Sequence, residues 1–142
     1  MNKYYLDMTA HLDRDFRDLR QALGFTNLDW RSTSYLVYNG WEICEINLYD
    51  NIAKVFYEVW FKVDTLLNVD ALNYLDNRVG VKEITDPIKR ARLRIMSAIA
   101  TIAFYALRSW EHDPEKGFAD KGETERIEIT DSGQIDRLRK VH

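Results

Sequence analysis

The sequence predicts a mainly α protein: a compact bundle of about four helices, with a short β-hairpin near 33–46 as one of two readings there, and an irregular C-terminal tail. Three observations lead to this fold class. Between residues 41 and 111 the chain holds one glycine, Gly80, and one proline, Pro87, and breakers are what interrupt helices. Much of the chain places apolar residues at three- and four-residue steps, the spacing that gives a helix one apolar face. From His112 onward the composition turns polar and is punctuated by Pro114, Gly117, Gly122 and Gly133. The expected organisation is a single helical domain over 1–111 followed by a charged tail over 112–142.

The first helix is expected over 4–23, where Tyr5, Met8, Leu12, Phe16, Leu19 and Leu23 share a face and Asp13, Arg14, Arg17, Asp18 and Arg20 lie between them. Gly24 stops it. Over 25–40 two readings stay open. Asn39-Gly40, set between Tyr35-Leu-Val-Tyr38 and Trp41-Glu-Ile-Cys-Glu-Ile46, suits a type I′ hairpin turn. Equally, Ser32 to Ser34 can cap a short helix that ends at Gly40.

Residues 46–67 read as a helix whose polar side holds Asn47, Asp50, Asn51, Lys54, Glu58 and Asp64. Its apolar arc is wide, approaching roughly 200°, where a surface helix needs about 100°. Such a helix is wrapped on two sides, by its own bundle or by a partner. Asp70 then opens a short helix carrying Leu72, Leu75 and Val79, closed by Gly80. Asp86-Pro87 supplies an N-cap and a proline at the first helical position, opening a helix to about Glu111 with Ile88, Ala91, Ile95, Ile99, Ile102, Ala106 and Trp110 on one face. In the tail, 126–130 and 134–138 around Asp131-Ser-Gly133 offer a small hairpin that docks on the body or on a partner.

Charge bounds the partners. The net charge is −3 over 142 residues, which argues against binding to phosphate backbones, an affinity built from many cationic contacts. Cys44 is the one cysteine, so no internal disulfide forms, and a reducing, cytoplasmic setting is expected. The N-terminal residues lack a signal-peptide pattern, and the apolar run 95–107 is too short to span a bilayer. Residues 41–80 carry 3 Lys and Arg against 7 Asp and Glu, whereas 81–111 carry 6 against 3. An acidic arm and a basic arm follow, with mutual attraction favouring their pairing.

Residues that break pattern are candidate sites. Lys89, Arg90, Arg92 and Arg94 crowd the first turns of the last helix, where the macrodipole disfavours cations. They are compensated by carboxylates nearby, or they hold an anion or an acidic partner, for which arginine's planar fork is suited. The histidines, His11, His112 and His142, have no metal-ligand spacing, and no phosphate loop, dinucleotide fingerprint or nucleophile elbow occurs. No catalytic residue, metal or cofactor is therefore expected. His11 and Asp15 sit four apart on one helix face, and Arg108 and His112 are one residue short of the Arg-x4-His spacing of a helical ribonuclease family.

Glu42-Ile-Cys-Glu45 and Leu67-Asn-Val-Asp-Ala-Leu72 resemble parts of the all-α nucleoside triphosphate pyrophosphatases, which hold magnesium through Glu-x-x-Glu on one helix and Glu-x-x-Asp on the next. The resemblance spans about 35 residues and implies a degenerate metal site, because Asn51 and Lys54 stand where the second pair of carboxylates belongs. The aromatic distribution points elsewhere. Nine of the 18 aromatic residues fall between Trp30 and Phe61, a density suited to contact surfaces. The expected function is a non-enzymatic protein-binding module, acting as adaptor, inhibitor or homo-oligomeric building block, with Trp30, Tyr35, Tyr38 and Trp41 as its contact residues. An anion- or nucleic-acid-contacting module using the arginines is the alternative.

Overall fold

The structure, a computed structural model, describes residues 3–52, 54–68, 83–112, 123–129 and 139–141. Its elements run α1 (Lys3–Leu23), β1 (Leu28–Tyr38), β2 (Trp41–Asp50), β3 (Val55–Lys62), α2 (Val63–Leu67), α3 (Pro87–His112), β4 (Glu123–Ile129) and β5 (Arg139–Val141). The strands form one five-stranded sheet in the order β1-β2-β3-β4-β5. All neighbours are antiparallel except β3 and β4, which are parallel.

This overturns the expected helical bundle. The segment read as a long helix from residue 46 is β2, a turn and β3, and the cause is visible in the burial pattern. Cys44, Ile46, Leu48 and Asp50 are buried in β2 and Val55, Tyr57, Val59 and Phe61 in β3, every second residue, with Ile43 and Trp60 the buried residues of the other face. That is the period of a strand, and the wide apolar arc was its projection on a helical wheel. The turn between β2 and β3 went unseen because it contains no glycine. Lys54 takes the left-handed conformation instead, at φ 62°, while the Asp50 carboxylate accepts the Ile52 N–H at 3.0 Å and the Asp50 carbonyl accepts the Lys54 N–H at 2.8 Å. An aspartate that bonds its own backbone two residues on makes a turn by itself.

The hairpin reading of 33–46 is the one the structure takes. Asn39 and Gly40 have φ values of 50° and 79°, the two positive angles a type I′ turn requires. The tail is also structured in part: β4 lies beside β3, and Arg139–Val141 pairs back on β4. The short helix expected over 70–79 lies outside the described residues.

Both long helices stand where their spacing puts them. Gly24 closes α1 at φ 71°, its N–H bonded to the Arg20 carbonyl at 2.8 Å. Asp86 caps α3, accepting the Ile88 N–H at 3.0 Å. Met8, Leu12 and Phe16 of α1 and Ala91, Ile95, Ile99 and Ile102 of α3 meet the inner residues of the strands in one core. Asn27, buried just before β1, donates its amide to the Ala103 carbonyl of α3 at 2.9 Å. The fold is thus two layered, with helices on the inner face of the sheet.

Candidate functional site

The outer face of the sheet is where the remaining aromatic residues gather, and strand parity explains which ones. Register shifts between Trp30 and Ser32 on β1, so Arg31 is the extra residue of a bulge. Trp30 and Tyr35 therefore both turn inward. Trp30 lies 5.2 Å from the Phe16 ring, and Tyr35 packs against the core. Tyr38 and Trp41, the pair flanking the turn, point outward and remain 51% and 47% exposed. Two of the four expected contact residues thus meet on one surface and two belong to the core.

Three residues of β3 complete that surface. Tyr38 meets the Trp60 ring edge-to-face at 5.1 Å. Trp60 Nε1 donates to Glu45 Oε2 at 2.8 Å, and Glu45 Oε1 accepts the Asn47 amide at 3.1 Å, which reaches on to Ser32 Oγ at 3.1 Å. On the far side, Arg126 of β4 lies 3.9 Å over the Trp60 ring and donates to Glu58 Oε2 from Nη2 at 3.2 Å. The Lys62 ammonium stands 4.2 Å over the Trp41 ring. Each cation faces the negative side of an indole. Trp60, 8% exposed, is therefore held between a carboxylate and a guanidinium, and it supports the exposed pair from beneath.

The same face ends in a second cluster. Tyr49 and Phe56, register partners, have rings 4.7 Å apart, with the Arg31 guanidinium 4.9 Å over Tyr49. Phe56 is 39% exposed. Trp60, Tyr49, Phe56, Lys62 and Arg126 escaped the sequence reading, although Phe56-Tyr-Glu-Val-Trp-Phe-Lys62 already alternates. Read as a strand, that run puts Phe56, Glu58, Trp60 and Lys62 on one side.

The basic residues of α3 do not converge. Arg90 turns back and donates to the Ile84 carbonyl from Nε and Nη2 at 3.0 and 2.8 Å. Arg92 forms a two-pronged pair with Asp15 of α1 at 2.8 and 2.7 Å, and this hydrogen bonding pushes its guanidinium above its ordinary pKa. Arg94, buried, donates to the Thr65 and Leu66 carbonyls that end α2, at 2.9 and 2.6 Å, where a cation offsets the negative end of the dipole. Lys89 is exposed. It lines, with Arg92, Asp15 and Asp18, a groove of about 360 Å³ between α1 and α3 floored by Leu19, Leu93 and Met96. Asp15 thus turns to Arg92, while His11 Nδ1 meets Arg14 at 3.3 Å.

The pyrophosphatase resemblance loses its geometry here. Glu42 and Glu45 lie on a strand, three apart, and face opposite sides of the sheet. Among the described residues no group of three His, Cys, Asp or Glu comes together to hold a metal ion. Cys44 is fully buried, and burial, reinforced by the charge of Glu45, pushes its thiol up to about 12. Among the described residues no helix is long and apolar enough to cross a membrane. Comparison with protein-family models, curated proteins and solved structures finds no significant match to this chain.

Proposed function

We propose that this chain is a cytoplasmic protein-binding module, an adaptor or inhibitor, that docks a partner protein on the outer face of its sheet with Tyr38 and Trp41 as anchors. One observation carries the reading: two large aromatic side chains stay about half exposed while the side chains beneath them are fixed. Anchors already rigid before binding lose little conformational entropy on association, and aromatic anchors of this kind dominate interface energetics. The carboxylates of Glu45 and Glu58 are engaged by Trp60 and Arg126, so neither is left to repel an apolar partner at these anchors. The single cysteine, buried and poorly ionised, suits a reducing compartment.

The test is affinity capture from the native cell with the intact chain and with a Tyr38→Ala/Trp41→Ala variant. The partner taken by the wild type should be lost from the variant, a drop of roughly 30-fold or more in affinity for hot-spot residues, while the circular dichroism spectrum and a cooperative melt are retained. Wild-type capture should also survive high salt, in contrast to phosphate-directed binding. Retention of the partner by the double variant would refute the assignment.

A further inference from the structure

Among the described residues strand β1 is a terminal strand of the sheet, and the sequence of its second half lacks the devices by which a strand protects its own edge. Those devices are charge, proline, shortness and bulges. The first half has them: Asp29, held by Arg20 and Asn51, and the bulge at Arg31. After the bulge the run is Ser32-Thr-Ser-Tyr-Leu-Val-Tyr38, uncharged, free of proline and glycine, and rich in β-branched and aromatic residues. Its end carries Val37, 66% exposed, a β-branched residue on the helix-side parity of the sheet beyond the cover of the core.

Hairpin geometry says which main-chain groups face outward. Tyr38 and Trp41 are register partners across a two-residue turn, and such a flanking pair exchanges its main-chain bonds. The alternation then turns the N–H and C=O of Val37 and Thr33 away from β2, toward the open edge. The occupant that satisfies this edge is an extended strand. We propose that it is the same run of a second copy of this chain, antiparallel, about a two-fold axis at Tyr35.

The sequence is self-complementary in that register. Val37 faces Thr33 of the other copy, two β-branched side chains opposed on one face, a favourable cross-strand pair. Leu36 faces Ser34 and Tyr38 faces Ser32, so no like charges meet across the axis. The bulge at one end and the hairpin turn at the other bound the straight segment, which fixes its length and leaves one centred register. Two five-stranded sheets become one continuous sheet, and an isologous interface of this kind closes at two copies. The two outer faces, with their Tyr38 and Trp41 clusters, then lie side by side.

Sedimentation equilibrium on the intact chain should give twice the chain mass at micromolar concentration. Val37→Lys, at a site open enough to accept it, should return the single-chain mass with an unchanged circular dichroism spectrum. Register is read separately by mixing Thr33→Cys with Val37→Cys under mild oxidation: the mixture should cross-link far more than either variant alone, and the buried Cys44 thiol should not compete. A single-chain mass throughout, or a dimer that Val37→Lys leaves intact, overturns the proposal. Cross-linking no stronger in the mixture than in the single variants overturns the register, and a single-chain protein that instead carries an extended peptide on β1 reassigns the edge to a heterologous partner. Since Val37 and Thr33 lie on the opposite parity from Trp41, loss of capture in Tyr38→Ala/Trp41→Ala leaves these outcomes unchanged.

Discussion

At the scale of single residues, the molecule's charged anomalies resolve into bonds that hold helices to their neighbours. Asp15 and Arg92 join α1 to α3 through two short hydrogen bonds at partly buried positions. Removing one partner strands the other, which costs about 1 to 3 kcal/mol. Asp15→Ala and Arg92→Ala should each lower the unfolding free energy from urea titration by that amount, and the double variant should lose less than their sum in a double-mutant cycle. Cys44 gives a pH dependence with a definite sign. Burial holds its folded pKa at about 12, above the ordinary thiol value of about 8.5, so the folded state prefers the neutral thiol. This contribution is complete below about pH 8.5 and is lost as pH rises from there toward 12. The stability difference between wild type and Cys44→Ala should therefore be flat at neutral pH and shrink in alkali. A difference that stays constant from pH 7 to 10.5 would contradict the burial of the thiol.

At the scale of elements, the two hairpin turns make opposite demands on the same backbone conformation. Gly40 sits at φ 79° with open space where a Cβ would go, so Gly40→Ala meets no clash and costs only the left-handed strain, about 1 kcal/mol. Lys54 already bears that strain at φ 62°. Lys54→Gly should therefore raise the thermal midpoint, by about 0.5 to 1 kcal/mol in stability, and Gly40→Ala should lower it. The same contrast explains what could be read in advance. Asn39-Gly40 announces its turn because its residue types have few other uses, whereas Asp50 to Lys54 holds no glycine or proline, and its Asp50-Asn51 pair reads equally well as the polar side of a helix. Once that turn is missed, β2 and β3 fuse into one apolar run, and Trp60 and Phe56 cannot be placed beside Tyr38 and Trp41. Helices α1 and α3 were legible because Gly24 and Asp86-Pro87 punctuate them. The inward turn of Trp30 was not, since it depends on the bulge at Arg31, which leaves no mark in the sequence.

At the scale of the whole molecule, the sheet joins a local part to a distant one. Strands β1 to β3 form a meander closed by short turns, while β4 reaches β3 from across a long stretch of chain that includes α2 and α3, and the Glu58–Arg126 pair spans 68 positions. Contacts of such separation form late because loop closure must be completed first. Arg126→Ala should accordingly speed unfolding several-fold and leave the folding rate nearly unchanged, as measured by stopped-flow fluorescence. A folding rate that fell in proportion to the lost stability would place β4 in the early nucleus instead.

The parallel pairing of β3 with β4 also has a meaning on the ribosome. Between the emergence of Lys62 and that of Glu123 about 60 residues must be translated, roughly 3 to 12 s at 5 to 20 residues per second. Throughout that interval the nascent meander would carry two open edges, β1 and β3. Among the described residues β4 closes β3 and leaves β1, so the nascent protein is most exposed to wrong pairing, and to help from a holding chaperone, before β4 leaves the exit tunnel.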